Sequence, residues 1–192
     1  GSGAEYDKRF PIISVKEEDI TKRIPSDEYG LFKYICAQYI ECVKFIVDLR
    51  VFGMFGEGED YQYRFISNAL CRHMYHMPIT MGQDVYFDYM DIQDFVRIID
   101  YFIGHKPKHT AYNIGTGKKI NLRTIANKIN KMTGENGKIV VKKSGLNNEY
   151  TCDSSLLFSE LKNFTLTPVE SSLKRLSTWY LNRKDFIDKH NL

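Results

Sequence analysis

The sequence predicts an α/β fold with parallel strand pairs. Strand-like and helix-like segments alternate along the chain, the pattern of a sheet layered with helices. The 192 residues are 43% hydrophobic and 14% aromatic, enough to bury a core of one domain or slightly more. Charged residues make up 27%, a globular balance rather than a disordered one.

Taken in order, residues 5–28 are polar and turn-rich and read as a surface excursion. Ser26 or Asp27 can cap a helix from about Tyr29 to Lys44, with Ile35, Tyr39, Ile40 and Val43 at helical spacing. "FIVDLRVFG" (45–53) reads as a buried strand closed by glycine, and "EGEDY" as a loop. Helices follow over about 63–76 and 92–104, then a short strand at 110–115. "NLRTIANKINKMTG" is a helix capped by Asn121, with Gly134 just past its end. "KIVVKK" (138–143) alternates as a strand does, with its lysines on a solvated face. A long amphipathic helix starts at Pro168 and runs to about Lys189.

A net charge of +3 with no localised basic patch argues against a nucleic-acid partner. No apolar run approaches the roughly 18 residues of a membrane span. Cys36, Cys42, Cys71 and Cys152 show no CxxC spacing and read as free, mostly packed thiols of a reducing compartment. With no visible signal peptide, a cytoplasmic protein is expected. His73 and His76, three apart, lack an acidic or cysteine partner spaced to complete a tetrahedral site, so no metal is expected. "GTGKK" (115–119) lacks the spacing of a phosphate loop and reads as a strand-to-helix turn. No nucleophile elbow accompanies Ser2, which argues against a hydrolase.

The informative stretch is "PSDEYGLFKY" (25–34). Tyr29 and Lys33 stand four apart at the start of a helix and share one face. A phenol with a pKa of about 10 is a poor base, and a nearby ammonium stabilises its phenolate. Such a pair moves protons to and from a hydroxyl near neutral pH. Taken alone, the spacing also suits a plain surface pair.

Three segments in order change that weighting: Ser2-Gly3-Ala4-Glu5-Tyr6, then Tyr29-Gly30-Leu31-Phe32-Lys33, then Leu49-Arg50-Val51-Phe52-Gly53-Met54-Phe55-Gly56. This order resembles the extended short-chain dehydrogenase/reductases, the NAD-dependent epimerase/dehydratase group acting on nucleotide sugars. "PITMGQDVYFDYMDIQDFVRII" and "AYNIGTGKKINLRTIANKI" are similar to later segments of the same family. Gly1-Ser2-Gly3 by itself reads equally as an artificial extension; within this order Ser2 falls where the family places a catalytic serine.

The resemblance implies the C-terminal part of a Rossmann-type doubly wound parallel sheet plus a small α/β substrate-binding region. Residues 1–60 would form the second half of the NAD(P)-binding domain. Residues 61–192 would be mainly the substrate region, with about 85–115 returning to the sheet. The family's Gly-rich first half is not among these residues, so the chain is expected to lack that half, as a fragment or as a subunit completed by another chain. Tyr29 would be the acid/base, Lys33 would hold the nicotinamide ribose hydroxyls, and Ser2 would bind the reacting sugar oxygen. Val51 and Phe52 would lie beside the nicotinamide of NAD or NADP. Gly53, Asn68, Arg72 and His73 would face the nucleotide-sugar substrate. The helix from Tyr29 would serve a homodimer.

Departures from the family narrow the reaction. In the 4,6-dehydratases an Asp-Glu pair follows the residue matching Ser2, and here Gly3-Ala4 stand there, which disfavours water elimination. Ala4 also replaces the cysteine of the GDP-fucose synthase branch, whose catalytic histidine lies close to His73. An epimerase or a 4-ketoreductase remains the expectation. Gly53 replaces a family Asn and Phe87 a family Arg, both of which grip the substrate diphosphate in that family.

Overall fold

The computed structural model describes residues 1–134 and 137–192. In chain order the elements are β1 (Ile12–Val15), α1 (Glu28–Glu41), β2 (Asp48–Val51), β3 (Gly53–Phe55), α2 (Phe65–Met74), β4 (Ile79–Asp84), β5 (Tyr86–Asp91), α3 (Ile92–Gly104), β6 (Ala111–Ile114), β7 (Lys119–Asn121), α4 (Leu122–Thr133), β8 (Ile139–Leu146), β9 (Tyr150–Cys152), α5 (Ser155–Glu160) and α6 (Val169–Leu181). The α/β class with parallel pairing is present: β1 with β9, β2 with β6, β4 with β8 and β5 with β9 all run parallel.

The chain forms two compact units. The first comprises Gly1–Met54, Phe87–Lys119 and Asn148–Leu166. Within it β2 and β6 pair in unbroken register from Asp48↔Ala111 to Val51↔Ile114. Tyr112 and Ile114 of β6 join Met90, Ile98, Leu157 and Leu161 in one apolar core, which α3 and α5 help to close. α3 starts where Asp91 Oδ1 accepts the Gln93 N–H at 2.8 Å, a side-chain cap at the end of β5. A second sheet runs in the order β1-β9-β5-β3. Tyr6, Ile12, Ile20, Ala37, Phe52 and Cys152 form the core beside it.

The second unit comprises Phe55–Tyr86, Ile120–Asn147 and Thr167–Leu192. α2, α4 and α6 pack on one another around the β4–β8 pair. α4 follows the sequence reading closely. Asn121 Oδ1 accepts the Thr124 N–H at 2.9 Å, and Gly134 closes the helix at φ 73°, a left-handed value that costs glycine nothing.

Three expectations need correction. Residues 5–28 are not a surface excursion: Tyr6, Ile12 and Ile20 are buried, and Ile12–Val15 is a strand paired with β9. The strand expected over 45–53 is only Asp48–Val51, with Phe45 86% exposed before it. The C-terminal helix ends at Leu181, because Arg183 onward turns into short 3-10 segments. The cysteines agree with the expectation of free, mostly packed thiols: all four are free, Cys71 and Cys152 are buried, Cys36 is half-buried and Cys42 is exposed.

Candidate functional site

The first unit gathers the residues singled out near the N-terminus. Ser2 opens a single 3-10 turn, Gly3–Glu5. Its Oγ accepts the Ala4 N–H at 3.2 Å, while Glu5 Oε1 accepts the Ser2 N–H at 2.7 Å. This reciprocal box fixes the turn locally. Ser2 also bridges to Val51 of β2 in parallel fashion, which sets the turn at the end of that strand.

Below the turn lies a buried ionic network. Arg50 Nε donates to Asp48 Oδ2 at 2.9 Å and lies 2.8 Å from Glu5 Oε2. Its Nη1 donates to the Tyr6 hydroxyl at 3.2 Å and to the Glu17 carbonyl at 2.9 Å. The Tyr6 hydroxyl donates to Asn113 Oδ1 at 2.7 Å. Burial and the neighbouring Asp48 charge push the Glu5 carboxyl up to about 7. Breaking one partner would strand another buried charge, so the network ties the 3-10 turn, β2 and β6 into one piece.

α1 begins directly against this turn. Asp27 Oδ1 accepts the Gly30 N–H at 2.9 Å and caps the helix. A Cβ on Gly30 would stand 2.8 Å from the Ala4 carbonyl oxygen and 2.9 Å from Pro25 Cβ. Glycine therefore lets the first turn of α1 approach the backbone that carries Ser2. Tyr29, beside that glycine, is 55% exposed. The Lys33 Nζ lies 5.7 Å from the Tyr29 ring centroid, and so does the Lys8 Nζ, a second cation the spacing gave no hint of. Two ammonium groups thus stand beside one phenol ring.

Phe52 is buried, with Tyr6 5.8 Å and Tyr150 5.0 Å away between ring centroids. Val51 is half-buried on β2. Gly53 cannot carry a side chain: a Cβ there would stand 2.4 Å from the Asp88 carbonyl oxygen, so no asparagine fits. Phe87, at the position of the family arginine, packs its ring 5.3 Å from Tyr89 and 5.9 Å from Tyr150. The two departures seen in the sequence thus belong to one close-packed aromatic patch.

Asp88 holds the "GTG" turn. Its Oδ1 accepts the Thr116 N–H at 2.7 Å and the Thr116 hydroxyl at 2.6 Å, and its Oδ2 accepts the Gly117 N–H at 2.8 Å. Those amides are already occupied, so the turn offers them to no phosphate. Burial raises the carboxyl above its ordinary range, against the pull of these donors.

Asn68, Arg72 and His73 lie on α2 in the second unit. Arg72 Nε donates to Asn68 Oδ1 at 2.9 Å, and Asn68 Nδ2 donates to the Tyr61 carbonyl at 3.0 Å. His73 is buried; its Nδ1 stands 3.5 Å from where a Cβ on Gly137 would be. A groove of ≈ 600 Å³ lies elsewhere on the first unit, lined by Val96, Arg97, Tyr101 and Phe164 among others, and shares no residue with Ser2, Tyr29 or Lys33.

Sequence reasoning missed Tyr150, Asp88 and the Glu5–Asp48–Arg50 network. Only the Arg50–Asp48 spacing of two on one strand face was visible as a signal.

Comparison with protein-family models matches residues 1–115 to the NAD dependent epimerase/dehydratase family. The chain belongs to that family. The match covers the serine turn, the Tyr29–Lys33 helix, β2 and β6. Comparison with curated proteins finds no match.

Solved structures with the same fold include a UDP-N-acetylglucosamine 4-epimerase from Methanobrevibacter ruminantium M1 in complex with UDP-N-acetylmuramic acid. It has a TM-score of 0.79 and 16% identity over 95% of this chain and 62% of that one. A dTDP-glucose 4,6-dehydratase from Bacillus anthracis in complex with NAD matches with a TM-score of 0.78 and 16% identity over 96% and 61%. A GDP-L-fucose synthetase from Naegleria fowleri bound to NADP matches with a TM-score of 0.78 and 11% identity over 96% and 63%. This chain thus spans about three fifths of the length of these structures. Among the described residues no helix is long and apolar enough to cross a membrane.

Proposed function

We propose that this chain carries the proton-transfer side of an NAD(P)-dependent nucleotide-sugar epimerase or 4-ketoreductase. The observation that supports it best is the approach of α1 to the serine turn at Gly30. It brings an exposed phenol flanked by two ammonium groups next to the turn that presents Ser2. Tyr29 would take the proton from a sugar hydroxyl or return it to a ketone. The Ser2 hydroxyl, whose oxygen already accepts from Ala4, keeps its own proton to donate to the same sugar oxygen.

The residues present fit a dinucleotide. Lys33 and Tyr29 are polar groups exposed enough to reach ribose hydroxyls, and Val51 and Phe52 offer the apolar wall a nicotinamide needs. When bound, the cofactor supplies hydride acceptance and return. Asn68 and Arg72 are proposed to meet the nucleotide diphosphate. Gly53 would contribute backbone only, and buried His73 is given no part in the chemistry.

Water elimination is disfavoured on this reading. Gly3 and Ala4 carry no carboxyl, and Glu5 is 1% exposed and committed to Arg50. A homodimer through α1 is part of the proposal: Phe32, Ile35 and Tyr39 lie at helical spacing and are exposed, an apolar strip of the kind that marks an interface.

A second reading rests on length. These residues span about three fifths of their structural relatives and would be inactive unless a Gly-rich nucleotide-binding half is present with them. Thermal shift with NAD(H) and NADP(H), measured with and without a Gly-rich nucleotide-binding segment, separates the two. In the protein as its gene encodes it, Tyr29→Phe is expected to lower kcat at least about 10²-fold, the low end for a positioned acid/base. Unchanged turnover would refute the assignment.

A further inference from the structure

We infer that Glu5 is a positioning residue for Ser2 and works as a neutral carboxylic acid, sharing a proton with Asp48, so that loss of the proton releases the serine turn. This role deepens the nucleotide-sugar reading above and rests on it.

The Ser2 N–H donates to Glu5 Oε1 at 2.7 Å. Together with the bridge from Ser2 to Val51, that bond fixes where the serine stands at the end of β2. Glu5 is buried beneath the turn and acts on the site only through Ser2.

The other carboxyl oxygen shows which form Glu5 takes. Arg50 Nε carries one hydrogen, and it goes to Asp48 Oδ2 at 2.9 Å. Glu5 Oε2 stands 2.8 Å from the same nitrogen and receives no hydrogen bond among the described residues. Arg50 Nη1 spends its two hydrogens on the Tyr6 hydroxyl and the Glu17 carbonyl, and Nη2 lies 4.0 Å from Glu41. Glu5, Asp48 and Arg50 are all buried, so a bare carboxylate oxygen there is costly. A proton on Oε2 removes the cost. Oε2 then donates to the Asp48 carboxylate, while Oε1 remains the acceptor that the Ser2 N–H needs. The two carboxyl groups are close: a Cβ on Gly1 would stand 1.8 Å from Asp48 Oδ1 and 2.9 Å from Glu5 Oε1.

Charge leads to the same form. Facing Glu5 are Asp48 and Arg50 from β2, Tyr6 from its own turn and Tyr150 from β9. Glu41 of α1 and Glu17, whose carboxylate accepts the Asn113 N–H at 2.7 Å, stand farther out around Arg50. The Gly1 nitrogen lies 3.3 Å from Asp48 Oδ1. One buried guanidinium thus serves two buried carboxyl groups, and one proton between them balances the cluster. Burial first, and then the Asp48 charge, pushes the Glu5 carboxyl up to about 7. Below that value the turn is tied down. Above it, an unbalanced buried charge drives Glu5 from Asp48, and Ser2 moves with it.

The test follows kcat/KM against pH in the protein as its gene encodes it, using the fastest substrate from a panel of UDP-, dTDP- and GDP-hexoses. Wild type should lose roughly tenfold between about pH 6 and about pH 8, the change in the fraction that keeps a proton titrating midway. Glutamine offers the same carbonyl to Ser2 and an N–H to Asp48 at every pH, so Glu5→Gln should stay level across that range. Asp48→Asn lets ionised Glu5 pair with Arg50 and should flatten the profile from the other side. Carbon-13 NMR of Glu-labelled protein reads the proton directly. The Glu5 carboxyl resonance, assigned by its absence in Glu5→Gln, should titrate near 7. A resonance that titrates below about 5, within the ordinary carboxylate range, would overturn the inference. So would a level wild-type profile, or a Glu5→Gln profile that falls as wild type does; with Tyr29→Phe inactive, only the Glu5 assignment then fails. If Tyr29→Phe is as active as wild type, or no hexose on the panel is turned over, the functional reading fails and the positioning role falls with it, whatever Glu5 titrates at.

Discussion

Asp88→Ala should uncouple the Gly115–Gly117 turn from the sheet that carries Tyr150. In the native protein one carboxylate receives three hydrogen bonds from this turn, at 2.7, 2.6 and 2.8 Å. Two of the donors are backbone N–H groups, which cannot be removed by the substitution. Each hydrogen bond to a charged group is worth about 1.5–3 kcal/mol. The sum overstates the loss, because the Thr116 hydroxyl can rotate to water and the carboxylate no longer has to be desolvated. Asp88 is fully buried, so this desolvation cost is substantial, and burial raises its carboxyl above the ordinary range. A net loss of about 4 kcal/mol follows, or about 10 °C in Tm for a chain of this size. Asp88→Asn keeps an acceptor for Thr116 but turns an NH2 toward the Gly117 N–H, and should cost about 2 kcal/mol. Urea unfolding gives both numbers, and amide exchange locates them: Thr116 and Gly117 should lose protection first. A loss below about 1 kcal/mol with both amides still protected would mean that the turn stands on its own, and the reasoning would be wrong.

Glu59 predicts a pH dependence. Burial pushes its carboxyl from 4.5 up to about 7, opposed mainly by the Ser67 hydroxyl, which donates to Oε2 at 2.5 Å. Between those values the folded protein holds a proton that the unfolded chain has released, so stability falls as pH rises through the window. Glu59→Gln should remove that slope, gaining roughly 2 kcal/mol on wild type between pH 4 and pH 8 after allowance for partial exposure; parallel stability curves would contradict it. Gly30→Ala places a methyl 2.8 Å from the Ala4 carbonyl oxygen. It should cost about 1–3 kcal/mol by overpacking and lower turnover more than Tm, since Tyr29 and Ser2 are driven apart; full activity would separate α1 from the site.

Elements with complete local signals were legible. α4 carries its cap and its stop within its own residues, and the amphipathic run of α3 spans Ile92–Gly104 as read. β1 and β9 were not. β1 has four residues with two exposed in the middle, so no alternation marks it, and its partner lies near the other end of the chain. β9 is three residues inside a polar stretch. Such strands exist because a neighbour supplies their hydrogen bonds, and a neighbour is not a local property.

The same division holds at the site. The order of Ser2, Tyr29, Lys33 and Val51–Phe52 along the chain was sufficient for the family, because motifs in fixed order are a property of the sequence itself. Distances between segments were not in the sequence. Gly3 read as an absence, the loss of a carboxylate. In the folded chain it is the opening that Tyr150 fills from 147 positions away in sequence, at a Cβ-to-hydroxyl distance of 2.3 Å. The sequence by itself determined that the first turns of the helix carry Tyr29 and Lys33 four apart. Only the tertiary structure decided what stands beside it, since packing sets which side chain occupies the space another leaves.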